Sequence, residues 1–203
     1  GLKFSSFIIS ISGNNLVVAL VLTMASSLIL GMGLPTAAAY ILVATLTAPA
    51  LVTMGVDLMA AHMFVFYSAM LSSITPPVAL AAFAAAAICR EPPMRVAMVS
   101  VKYGFVAFLL PYFFVLEPRL LAFGSFGEIA GVFTMAIIGI IALACVLQGY
   151  ALGRLSWVTR IILAVASLSV LMPEMTFKFL GIAIILATLI AWKIGQTMRS
   201  GDA

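Results

Sequence analysis

The sequence predicts an all-α integral membrane protein: a re-entrant helical hairpin, a broken transmembrane helix and about four further transmembrane helices. Three observations carry this reading. First, 65% of the 203 residues are hydrophobic and only 8% are charged, with a mean hydropathy of +1.30. A soluble domain carries about 25% charged residues, because water must solvate its surface. Second, no charged residue occurs from Phe4 to Val56. Third, two uncharged stretches are interrupted by Gly/Pro motifs, Gly31-Met-Gly-Leu-Pro-Thr36 and Thr75-Pro76-Pro77. At roughly 20 residues per crossing, the length allows at most about eight spans with their loops.

The same numbers exclude other classes. Disorder requires low hydrophobicity. Nucleic-acid binding requires clustered basic residues, and here the net charge of +4 is spread along the chain. One His and two distant Cys make no transition-metal site, and Cys89 beside a charged loop and Cys145 inside an apolar span do not read as a structural disulfide. No organic cofactor is implied. The chain opens at Gly1 directly into apolar sequence, which reads as a piece of a larger protein.

Residues 1–13 place Phe4, Phe7, Ile8 and Ile11 at helical spacing with serines between them. They read either as an amphipathic helix at the membrane interface or as the tail of a span. As one helix, the uncharged run from Phe4 to Val56 would be about 80 Å long, against a hydrocarbon core of about 30 Å. It must double back, and its strongest breaker is residues 31–36, where Pro35 cannot continue a helix from the preceding turn. Asn15–Leu30 and Thr36–Val52 are therefore the arms of a hairpin, 15–52 overall. Its apolar tip suits burial at membrane depth, although two spans joined by a tight apolar turn remain open. Asp57 and His62 mark a water-facing turn, and Asp57 is placed to cap the next helix. Residues 63–88 form a span that the double proline breaks at Ile74–Val78, exposing carbonyl oxygens that lipid cannot satisfy. The alanine-rich half after the break suits close helix packing.

Arg90, Glu91, Arg95 and Lys102 form a charged loop, with Lys102 as a snorkelling anchor. Spans follow at 96–116 and 129–147. Two shorter apolar runs, 161–172 and 177–192, are split by Pro173 and Glu174. Trp157 and Trp192 sit where interfacial anchors belong, and the tail beyond Lys193 is polar and frayed. Basic residues concentrate at 89–102, at Arg154 and Arg160, and in the tail. The positive-inside rule places those segments in the cytoplasm, so the hairpin opens to the outside.

Two interrupted segments in succession are how secondary transporters build sites: half-helix C-termini offer carbonyls to cations, and N-termini offer N–H groups to anions. Hydroxyls at Thr36, Ser72, Ser73 and Thr75 add hard oxygen ligands. No carboxylate lies within either motif, which disfavours a proton relay.

The run GMGLPTAAAYILVATLTAPAL, followed by GVDLMAAHMFVFYSAMLSSITPPVALAAFAAAAI, resembles the large membrane subunit of TRAP (tripartite ATP-independent periplasmic) transporters, the DctM-like family. It is most similar to fused permeases of the TAXI type, in their C-terminal portion. The resemblance covers roughly residues 1–120; residues 121–203 resemble accessory C-terminal transmembrane helices more weakly. It implies an elevator-type ion transporter of two inverted repeats, with this chain matching the second. It further implies a bacterial inner-membrane, multi-pass permease. Its partners would be the remaining N-terminal part of the permease, the lipid bilayer and a periplasmic TAXI-type solute-binding protein delivering an organic acid. The coupling ion would be sodium, carried over to Gly31, Gly33, Thr36, Ser73, Thr75 and Pro76. Ser72 and Tyr40 would lie near the substrate.

Blander roles stand beside these. Ser68 and Ser72 share a helical face and are placed to back-bond to their own helix. His62 suits a helix start better than proton coupling, and Tyr40, Tyr67 and Tyr103 suit packing. The twelve methionines are bulk rather than a metal box. Against the transporter stand a non-transporting assembly module and an intramembrane enzyme. The enzyme would need a base beside a serine, and none lies at a span centre.

Overall fold

The computed structural model describes residues 1–151 and 153–201, and their side chains except at 2 and 192–201. Among the described residues the chain is helical, with a single isolated β-bridge between Tyr150 and Arg154. It divides into two units, residues 1–121 and 122 onward.

In the first unit, α1 (Leu2–Ser12) precedes α2 (Leu16–Gly31) and α3 (Thr36–Thr53). The Asn15 side chain starts α2 by accepting the N–H groups of Val17 and Val18 at 3.0 and 3.2 Å, replacing partners a first turn lacks. The 16 residues of α2 reach about 24 Å, short of a full bilayer crossing. Asp57 caps α4 (Leu58–Leu71) by accepting from Met59 and Ala60 at 2.8 and 3.2 Å. That cap moves the helix start ahead of the expected Met63. The break spans Ser72–Ala79, wider than expected, before α5 (Leu80–Cys89).

Next, α6 runs Pro93–Leu116, with Pro93 in its first turn. The expected charged loop shrinks accordingly. Proline suits the first helical turn, and Arg95 and Lys102 lie on the helix. Arg95 meets Glu91 one turn earlier at 3.2 Å. A short 3-10 turn, Pro118–Leu121, ends the unit.

Two of the four α1 serines, Ser5 and Ser12, turn inward. Ser5 donates to the Leu46 carbonyl of α3 at 2.9 Å, and Ser12 is buried beside Ile8. Phe7 and Ile11 are instead exposed, by 60% and 52%. In an apolar solvent a hydroxyl gains more from a backbone acceptor than from the surface. Ala19, Leu20, Met24, Ala60, Ala61 and Phe64 form one core cluster of α2 and α4. Ala39, Val43 and Ala44 of α3 form another with Val65 and Ala69 of α4. Small side chains let these backbones approach closely.

The second unit holds α7 (Phe126–Gln148), α8 (Trp157–Leu171) and α9 (Met175–Gly201). Ser125 and Glu128 form a capping box at the start of α7, and Ser156 caps α8. The α9 backbone stays helical past Lys193, where a frayed tail was expected. The expected anchor Trp192 lies outside the described side chains. Among the described residues three helices are long and apolar enough to cross a membrane: α3, α6 and α7. Ile29, Ile41, Ile88 and Ile137 are exposed, an outer surface suited to lipid rather than water.

Candidate functional site

The turn between α2 and α3 meets the break between α4 and α5. A Cβ added at Gly31 would lie 2.8 Å from Ser72 Oγ and 3.3 Å from the Ala69 carbonyl. No larger residue fits at that distance without movement. Gly33 has φ +78, a left-handed conformation that other residues adopt at a cost. Its Cβ position lies 3.6 Å from Val78 Cγ1 of the break. The sequence placed both glycines at a turn. The structure adds a reason for Gly31 that no local pattern contains, because its partner is distant along the chain.

Thr36 is exposed in the first turn of α3. The expected residues Ser73, Thr75 and Pro76 lie in the break and are half-buried, while Ser72 is buried. Within the break, Ser72 donates to Ala69 O at 2.6 Å, Ser73 to Met70 O at 2.7 Å and Thr75 to Leu71 O at 2.7 Å. Each proton is committed to a carbonyl, so each hydroxyl oxygen presents its lone pairs. Ser68 likewise back-bonds to Phe64 O at 2.6 Å.

The expectation that the break leaves carbonyls unpaired needs correction at three of them. Ser72 O accepts from Thr75 N–H at 3.2 Å, Thr75 O from Ala79 N–H at 3.2 Å, and Ser73 O from Ala81 N–H at 2.9 Å. Tight turns and a fold-back from α5 recover what the two prolines remove. Each carbonyl keeps a second lone pair for a ligand.

The electrostatics come from the helix ends. Gly31 ends α2 and Leu71 ends α4, and these two C-termini are in contact through Gly31 and Ser72. Each carries a partial negative charge of roughly half an electron. The same turn and break begin α3 at Thr36 and α5 at Leu80, so two positive N-terminal ends stand near the two negative ones. The side chains at hand are hydroxyls, so a cation here would meet neutral oxygen.

Tyr40 lies apart from the break residues named above. Its hydroxyl and His62 Nδ1 are 2.9 Å apart, and its ring packs edge-on against Phe66 with centroids 5.5 Å apart. This links α3 to α4. Sequence reasoning weighed both residues and missed the pair. It also missed Thr23 and Ser27, which precede the expected Gly31 by two turns and one turn along α2. Thr23 Oγ1 is buried with no hydrogen-bond partner, while Ser27 donates to Thr23 O at 2.6 Å. The four-residue spacing was the available signal. Glu117 is also buried, and Arg119 Nε donates to its carboxylate at 2.5 Å.

Helical units with lipid-suited surfaces, a hairpin-like turn and an interrupted helix are the features of a helical membrane protein. A model of the family described as tripartite ATP-independent periplasmic transporter, DctM component, matches residues 1–129. The chain belongs to that family. No curated protein matches it, and no solved structure does.

Proposed function

We propose that this chain supplies one half of the ion and substrate site of a sodium-coupled importer of an organic acid. Sodium binds between the 31–36 turn and the 73–76 break. The organic acid arrives from a periplasmic TAXI-type binding protein and sits between this repeat and its counterpart in the remaining N-terminal part of the permease. The hairpin is re-entrant and opens to the periplasm across the bacterial inner membrane. Residues 121–203 are accessory transmembrane helices that pack rather than transport.

One observation supports this reading above the others: the C-terminal ends of α2 and α4 meet at Gly31 and Ser72. Two negative helix ends with hydroxyl oxygens, and no carboxylate in either motif, suit a monovalent cation that must bind and leave. Thr75 tests it. Thr75→Val keeps the shape and removes one oxygen. Substrate uptake by the full transporter is followed against sodium concentration at fixed membrane potential. A loss of about tenfold in apparent sodium affinity, roughly 1.4 kcal/mol, is expected. An unchanged curve removes Thr75 from the site. Uptake that ignores sodium and follows a proton gradient contradicts the reading and turns attention to the Tyr40–His62 pair.

A further inference from the structure

In the second unit, α8 packs along both α7 and α9, while α7 and α9 barely approach each other. Three helices so arranged leave a groove between the outer two. It is a cavity of about 320 Å³ lined by Ile141, Ala142 and Cys145 of α7, Leu163 of α8, and Ile185 and Leu186 of α9. Ile141 and Leu186 are themselves exposed, by 58% and 54%, so the groove opens outward. Its lining gives water no partners, and an apolar cavity of this kind stays dry.

Ala151, from the loop after α7, also lines it. That loop differs in chemistry from the groove. Tyr150 and Arg154 are bridged through their backbones. Arg160 donates Nε–H to Val146 O at 2.9 Å and Nη2–H to Leu147 O at 3.5 Å. The Trp157 ring lies 5.7 Å from the Arg160 guanidinium carbon. Tyr150, Trp157 and Arg154 are exposed. Tyr, Trp and Arg gathered at one end of apolar helices mark a membrane–water boundary. Anchoring on two α7 carbonyls holds the Arg160 guanidinium in place and leaves it further N–H donors.

We infer that this groove is a binding site for an anionic phospholipid: one acyl chain fills the cavity, and the phosphate headgroup meets Arg154 and Arg160. The apolar lining selects a hydrocarbon chain. Two basic residues at that end, Arg154 of the loop and Arg160 of the first turn of α8, select a negative headgroup over a zwitterionic one. Neither a soluble ligand nor a polar helix satisfies both ends.

The test uses the full chain in nanodiscs of equal phosphatidylglycerol and phosphatidylcholine, released into a native mass spectrometer. Wild type retains one phospholipid per chain, and phosphatidylglycerol is preferred. Arg154→Gln lowers that preference about fivefold, the effect of one basic residue near anionic lipid. Leu186→Trp and Ile141→Trp fill the groove from exposed positions and abolish retention of both lipids, with helix content by circular dichroism unchanged. Equal retention of the two lipids by wild type overturns the headgroup assignment. Lipid retained unchanged by both tryptophan variants, or a lipid-free dimer mass for wild type, overturns the site.

Discussion

At Gly31 a single hydrogen atom decides whether the turn and the break can touch. Gly31→Ala introduces a methyl group 2.8 Å from Ser72 Oγ. Overpacking of this kind costs typically 1–3 kcal/mol, so thermal unfolding of the purified chain in nanodiscs should shift downward. Ser72→Ala in the same chain removes the nearest atom and should recover part of the loss, a coupling readable in a double-mutant cycle. Independent effects that simply add would show that the two residues do not press on each other. The back-bonding of Ser68 and Ser72 was legible beforehand, because hydroxyls in apolar helices reach for a carbonyl one turn back. The Tyr40–His62 hydrogen bond was not. It joins two helices, and pairing between helices leaves no local pattern.

Asp57 reads as a cap and acts as one, and Asn15, read only as the first residue of a hairpin arm, caps α2 as well. Asp57→Ala should destabilise α4 by about 1 kcal/mol, with Asp57→Asn close to wild type, since either side chain accepts the same N–H groups. Equal losses for both would mean that charge, not capping, matters there. Charged residues misled where they stand on helices: Arg95 and Lys102 read as loop, yet Pro93 opens a helix that includes them. The α1 serines misled similarly, because periodicity fixes which residues share a face but not whether that face meets protein or water. The proposed orientation across the membrane rests on the basic residues at 89–102. Single cysteines at exposed Thr53 and Glu91, in a Cys89→Ser, Cys145→Ser background, report it through an impermeant thiol reagent on intact cells. Thr53→Cys should label and Glu91→Cys should not; the reverse pattern inverts the assignment.

For the whole molecule, the family was legible because its two Gly/Pro motifs stand in order in two successive uncharged stretches separated by the Asp57 turn. The depth of the hairpin and its relation to the proposed second repeat leave no local pattern to read. In the proposed function, one turn and one break make half of a midplane site. The 203-residue chain reconstituted alone in liposomes should therefore show no binding-protein-dependent uptake above background, and clear uptake would show that the chain is sufficient. The central claim is that sodium occupies the space between turn and break. Val78 reports on it most directly, because its Cγ1 lies 3.6 Å from the Cβ position of Gly33. In the full transporter, with Val78→Cys as the only cysteine, the rate of modification by a methanethiosulfonate reagent is measured in sodium and in potassium at two pH values. Sodium, and not potassium, should slow the reaction at both. Equal rates in the two salts, or a rate that responds only to pH, would contradict the account.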